Sequence, residues 1–101
     1  MKPTRGAVVR RGDTGSYGLV IANDMLHQVS DIVILCTVLR SETMAGHSPH
    51  AIPIEAADQH LYAIPVLVHT APASAVAEVV GTADADQLRS VTRTLNAATS
   101  P

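Results

Sequence analysis

The sequence predicts a mostly β domain with one C-terminal helix: a small antiparallel barrel on which that helix packs. Three observations carry the prediction. Short runs rich in Val, Ile and Leu recur along residues 6–83, separated by segments holding Gly, Pro, Ser and Asp. Sustained helical spacing begins only after Asp84. A length of 101 residues, without a repeat or a linker-like tract, suits a single domain over 1–101 built around one core.

The first strand is "GAVVRR" (6–11), followed by the turn "GDTGS" with its two glycines. "YGLVIAN" (17–23) is the second, rich in strand-forming residues, and Asn23 or Asp24 can cap one helical turn in "NDMLHQ". "DIVILCTVL" (31–39) is apolar on both faces, the pattern of a central strand with no solvated side. "SETMAGHSPH" (41–50) reads as a loop. "AIPIEA" (51–56) carries Pro53 and is expected at an edge, because proline cannot donate to a ladder on both sides. "LYAIPVLVHT" (61–70) has Pro65 near its middle, which predicts a bulge or bend. "AEVVGTA" (77–83) closes the sheet. Asp84 and Gln87 then form a capping box, and Leu88, Val91, Leu95 and Ala98 recur as one apolar helical stripe, with Arg89 and Arg93 on other faces.

Apolar residues make up 47% of the chain, which places it among globular proteins. The core must be aliphatic, since there is no Phe or Trp and there are only two Tyr. Each fully buried Val, Leu or Ile contributes roughly 1.5–3 kcal/mol, so a thin aliphatic core gains from a partner surface and favours a homodimer. A formal net charge of −2 argues against a dedicated, uniformly basic nucleic-acid binder. Even so, Lys2, Arg5, Arg10 and Arg11 fall within the first eleven positions. They form either a local cationic patch or a solvated strand edge. The lone Cys36 sits inside an apolar run and reads as a buried structural thiol, which leaves no disulfide framework or multi-cysteine metal site. With neither an apolar signal segment nor 18 consecutive apolar residues, a cytoplasmic protein with no membrane contact is expected.

In order along the chain, "RGAVVR", "GLVIAND", "ILCTVLRS" and "EVVGTADADQL" resemble four segments of the MazF/PemK toxins, the "RGEIW", "PVLVVSND", "VVVAPLTS" and "IGxLSxxxL" types. These toxins belong to type II toxin–antitoxin systems, within the CcdB/MazF superfamily. The resemblance implies an SH3-like barrel, a homodimer, a cognate MazE-like antitoxin with an acidic tail, and sequence-specific cleavage of single-stranded RNA without a metal or other cofactor. Departures fall near the site. The family's "RRP" before the second strand is replaced by "GSYG" (15–18), the preceding loop is short, and Ala7 stands where an acidic residue is common. The threonine of "PLTS" falls on Arg40, with Ser41 in register with the family's serine.

In the cleavage chemistry that the resemblance implies, a 2′-OH attacks the adjacent phosphorus. A base takes its proton, an acid protonates the leaving 5′ oxygen, and a cation stabilises the crowded phosphorane. The catalytic candidates are Arg40 for the cation, with Ser41 and Thr37 as hydroxyls on the phosphate. Strand alternation puts Thr37 and Ser41 on one face and Arg40 on the other, unless a bulge re-aims the end. The candidates for RNA binding are Tyr17 as a stacking platform, Asn23, Arg10 and Arg11 at strand ends, and His69. For each there is a structural alternative: Tyr17 and Thr37 as packed strand residues, Asn23 as a cap, Arg40 as a solvated arginine. His47 and His50, with Glu55, Asp58 and His60, match no familiar zinc spacing, so no metal is expected. A second functional reading is a toxin of the same fold without nuclease activity, which binds a protein target such as DNA gyrase.

Overall fold

The computed structural model describes residues 3–22, 31–40, 51–56 and 59–99. The described residues form six strands: β1 (Ala7–Arg11), β2 (Tyr17–Val20), β3 (Ile32–Leu39), β4 (Ile52–Ala56), β5 (Gln59–Pro72) and β6 (Val76–Thr82). A 3-10 turn at Ala73–Ala75 links β5 to β6, and one helix, α1 (Ala85–Thr99), follows. The strands form a single antiparallel sheet in the order β4-β5-β3-β2-β1-β6. Its two edges, β4 and β6, approach each other, so the sheet curls into a half-barrel, in keeping with the small SH3-like antiparallel barrel that the resemblance implies.

Because β3 lies inside this order, both its faces must be covered. Cys36 and Val38 join Val8, Leu19, Ile54, Leu61 and Ala63 in one core cluster, which α1 closes with Val91 and Leu88. Val33 and Leu35 face the other way, into a second cluster with Ala7, Val9, Val20 and Ala71, capped by Ala73, Ala75 and Val76. Gly18 permits the close approach of β2 to β3: a Cβ there would stand 3.1–3.2 Å from Leu35 side-chain atoms.

The strand boundaries differ in small ways from the sequence reading. Strand β2 stops at Val20, although Ile21 still donates its N–H to the Ile34 carbonyl at 3.1 Å. Strand β5 is longer, reaching Pro72, and it tolerates Pro65 because the ladder breaks there. Cys36 pairs with Val68 while its neighbour Thr37 pairs with Ile64, so Pro65, Val66 and Leu67 bulge out of register. Val66, Leu67 and Val68 are 40–53% exposed as a result. Pro53 lies on the β4 edge, as its chemistry requires. The helical turn proposed at 23–28 and the 41–50 loop lie outside the described residues.

The helix begins with the reciprocal cap. Gln87 donates its N–H to Asp84 Oδ1 at 2.8 Å, and Asp84 donates its N–H to Gln87 Oε1 at 3.1 Å. Val91 is fully buried, whereas Ala98, the last member of the expected stripe, is exposed. The packed part of the stripe therefore ends at the half-buried Leu95. Replacing Asp84 with Ala should cost about 1 kcal/mol of unfolding free energy in a urea titration, with Asp84→Ser retaining most of it. Burial pushes the Cys36 thiol up to about 12. At pH 7.5 the native protein should therefore resist iodoacetamide and react at an ordinary thiol rate only once unfolded in urea.

Candidate nucleic-acid interface

Antiparallel pairing decides which side chains share a face, because residues directly opposite one another project together. Glu78 on β6 is opposite Arg10 on β1, which is opposite Tyr17 on β2, which is opposite Val38 on β3. Arg40 lies two residues beyond Val38 and so returns to the same face. The result is a row running Glu78, Arg10, Tyr17, Arg40 across four chain segments at one end of the sheet. The Arg40 guanidinium stands over the Tyr17 ring, 5.1 Å from its centroid. At that distance the cation is attracted by the ring's negative face, worth roughly 0.5–1 kcal/mol where both groups meet water. Two aliphatic strands thus deliver a cation and an aromatic to one place, because β2 and β3 are register neighbours.

The turn that leads into this row is compact. Arg11 donates its N–H to the Ser16 carbonyl at 2.8 Å and accepts from Gly15 N–H at 2.9 Å. Gly15 takes a φ of +73°, which a side chain would resist. The Thr14 and Ser16 hydroxyls are 2.6 Å apart, and Ser16 N–H donates to Thr14 Oγ1 at 3.2 Å. These bonds anchor the residues that precede Tyr17.

Electrostatics divides the arginines. Arg10 donates through Nε to Glu78 Oε1 at 2.7 Å, and that hydrogen bond raises the already high pKa of its guanidinium. Arg11 grips Asp13 with two bonds, Nε to Oδ1 at 3.0 Å and Nη2 to Oδ2 at 2.6 Å. The fork holds the Asp13 carboxyl below the usual carboxylate range. Arg40, by contrast, forms no ion pair among the described residues. Its charge is the one in the row that no carboxylate among those residues offsets.

The other sequence candidates are placed as follows. Thr37 and Arg11 lie on the opposite face of the sheet from Arg40, and so does His69, which pairs with Leu35. Thr37 Oγ1 donates to the Leu67 carbonyl at 3.4 Å, across the β5 bulge. Arg40, Tyr17 and Arg10 are therefore brought together, and Thr37, His69 and Arg11 are not brought to them. Ser41 and Asn23 lie outside the described residues. So do His47, His50 and Asp58, while Glu55 and His60 form an exposed cross-strand pair, Oε1 to Nδ1 at 3.2 Å. Among the described residues, no three His, Cys, Asp or Glu side chains are grouped as a metal site would need.

Glu78 was not singled out by the sequence reading, since only the β1–β6 register brings it to Arg10. The same holds for a second group of cations. Arg5 reaches α1, donating through Nη2 to Thr92 Oγ1 at 2.9 Å, beside Arg89 and Arg93. The four-residue spacing of Arg89 and Arg93 is visible in the chain, but their proximity to Arg5 is not.

No protein-family profile matches the sequence, and no curated protein matches it significantly. Solved structures do match the fold. A MazE–MazF complex from Deinococcus radiodurans superposes with a TM-score of 0.82 at 18% identity, over 97% of this chain and 96% of that one. An endoribonuclease from a mycobacterial species gives 0.80 at 15% identity, over 97% and 91%. A mycobacterial endoribonuclease in complex with its cognate antitoxin gives 0.77 at 15% identity, over 95% and 91%. Strand order, the C-terminal helix and these superpositions together show that the chain has the MazF toxin fold.

Proposed function

We propose that the chain is the toxin of a type II toxin–antitoxin pair and that it cuts single-stranded RNA without a metal. The observation that carries this reading is the Arg40 guanidinium over Tyr17, at the end of two adjacent strands of a MazF-like sheet. In this reading a base stacks at Tyr17 while Arg40 holds the adjoining phosphate. The ribose 2′-OH attacks the phosphorus, the bond to the 5′ oxygen breaks, and Arg40 stabilises the extra negative charge of the phosphorane. The products are a 2′,3′-cyclic phosphate and a free 5′-OH. Ser41 follows Arg40 directly and supplies a hydroxyl to the phosphate. The thin aliphatic core supports a homodimer as the working unit. The charge of Arg40, which no carboxylate among the described residues offsets, suits an acidic antitoxin segment as much as it suits RNA.

A second reading, a toxin that binds a protein target without cutting RNA, is favoured by a different observation. Arg10 and Arg11 are already occupied by Glu78 and Asp13, and Thr37 and His69 lie on the face away from Arg40. Among the described residues, then, no proton acceptor from the candidate set accompanies Arg40 on its face.

The two readings separate in one assay. Purified protein in EDTA should cleave a fluorogenic single-stranded RNA library to fragments with 5′-OH ends. Arg40→Ala should reduce the rate by at least a hundredfold, in line with loss of one transition-state contact worth about 3 kcal/mol. Growth arrest on overexpression with intact RNA would instead support the protein-binding reading. A further expectation concerns Arg10. Glu78→Gln frees its guanidinium, so the affinity for fluorescein-labelled oligo(U) should rise. The slope of log affinity against log salt should steepen by about 0.7, the contribution of one added phosphate contact on a single strand.

A further inference from the structure

Strand β5 pairs with β4 only from Gln59 to Ala63, and among the described residues no strand lies on that side of residues 64–72. The direction of the free backbone groups follows from the ladder on the other side. Ile34 turns its carbonyl toward β2, where it accepts from Ile21 N–H, so Ile34 and its β5 partner Thr70 form a pair with no bonds between them. Thr70 and, two residues back, Val68 therefore present their N–H and C=O groups outward. Natural sheets protect such edges with charged side chains, yet "IPVLVHTAP" (64–72) contains no Asp, Glu, Lys or Arg. Pro65 and Pro72, which lack an N–H, bracket the stretch and leave Val68 and Thr70 open.

The side chains beside this edge are apolar. Val68, Thr70 and Pro72 are directly opposite Cys36, Ile34 and Ile32 on β3, so they share the α1 side of the sheet. Helix α1 covers Cys36, but Ile34 is only half-buried, and Ile32 and Val68 are exposed. Val66 carries the strip on to the end of α1, where it lines a cavity of about 410 Å³ with Ala97 and Ala98. A second copy of this chain fits the strip and its edge. Between 64 and 72 there is no formal charge with which to select an acidic or basic peptide. Antiparallel pairing of a strand with its own copy closes about a twofold axis, so a single patch satisfies itself. An axis at His69 sets Val68 opposite the copy's Thr70 and Thr70 opposite the copy's Val68, which uses the outward N–H groups of both chains. Val66 then falls near the copy's exposed Pro72, an apolar group for the cavity beside it. Nine strand residues make an edge about 30 Å long, which on a molecule whose smallest extent is 22 Å offers roughly 600 Å² per copy, the level at which stable interfaces begin. We infer that the β5 edges of two copies pair antiparallel about an axis at His69 and join two six-stranded sheets into one. This pairing rests on the homodimer of the proposed function and specifies where its two chains meet. Both Arg40–Tyr17 rows stay accessible, because Arg40 lies about 20 Å along β3 from Ile34.

Light scattering of the full chain across a dilution series tests the pairing. The expected mass at micromolar concentration is twice 10.6 kDa. Val68→Lys places on the edge the residue type that keeps natural sheets apart, and it should raise the dimer dissociation constant at least tenfold. Val68 is exposed, so that variant folds normally, and circular dichroism verifies it. His69→Cys gives a second readout. Residues paired across the axis without hydrogen bonds stand about 4.5 Å apart at Cα, within disulfide range, so mild oxidation should link two copies through position 69. Ala77→Cys on β6 should not link, nor should the buried Cys36. Arg40→Ala should leave the dissociation constant within twofold. A monomer at every concentration would overturn both the pairing and the homodimer. A dimer that Val68→Lys leaves intact, that links no better through position 69 than through position 77, or that is lost in Arg40→Ala would overturn the pairing alone.

Discussion

The constraint on which the rest depends is that β3 has no solvated face along its interior. Alternate residues of one eight-residue strand enter two separate clusters, Val33 and Leu35 on one side, Cys36 and Val38 on the other. A slip of one residue would exchange those sets and drive Thr37 and Ile34 into positions shaped for Cys36 and Val33, so the register is strongly enforced. Every candidate group near the strand's end inherits its direction from this requirement. Arg40 is delivered to the Tyr17 side because Val38, Tyr17's own partner across the β2–β3 ladder, must be buried.

Much of this architecture was legible in the chain. A double-sided apolar run marks β3 as interior, Pro53 marks an edge, Pro65 marks a break, and Asp84 with Gln87 marks where α1 begins. Each of these is a local signal, set by backbone chemistry within a few residues. What escaped the reading is what depends on pairing. The extent of the bulge, three residues from Pro65 to Leu67, is set by how β5 meets β3 and not by Pro65 alone. The 3-10 turn at Ala73–Ala75 has no glycine and only Ser74 as a turn-favouring residue in its body, and the small Ala73 and Ala75 side chains pack against the second cluster. The meeting of Arg40 with Tyr17 was foreseeable as two strand ends side by side. The pairing of Arg10 with Glu78 was not, since 68 positions separate them.

Charge in this fold is managed locally more than globally. A net charge of −2 conceals a surface on which several arginines are matched to carboxylates, Arg10 to Glu78, Arg11 to Asp13 and Arg89 to Asp86. Such exposed pairs add little to stability, in the range of 0–1 kcal/mol each, so their effect is better understood as focusing. By offsetting neighbouring cations they leave Arg40 as a point where an approaching anion meets a charge that no carboxylate among the described residues balances. The thin aliphatic core tolerates this arrangement because none of these charges is buried.

The near absence of aromatics has an optical corollary. With no tryptophan, intrinsic ultraviolet emission arises from Tyr17 and Tyr62 alone, and Tyr17 carries a guanidinium on its ring. Whatever displaces or joins that cation alters the surroundings of one of only two emitters. The protein thus has a built-in fluorophore at its proposed working surface, and a Tyr62→Phe background would make its signal a direct readout of occupancy there.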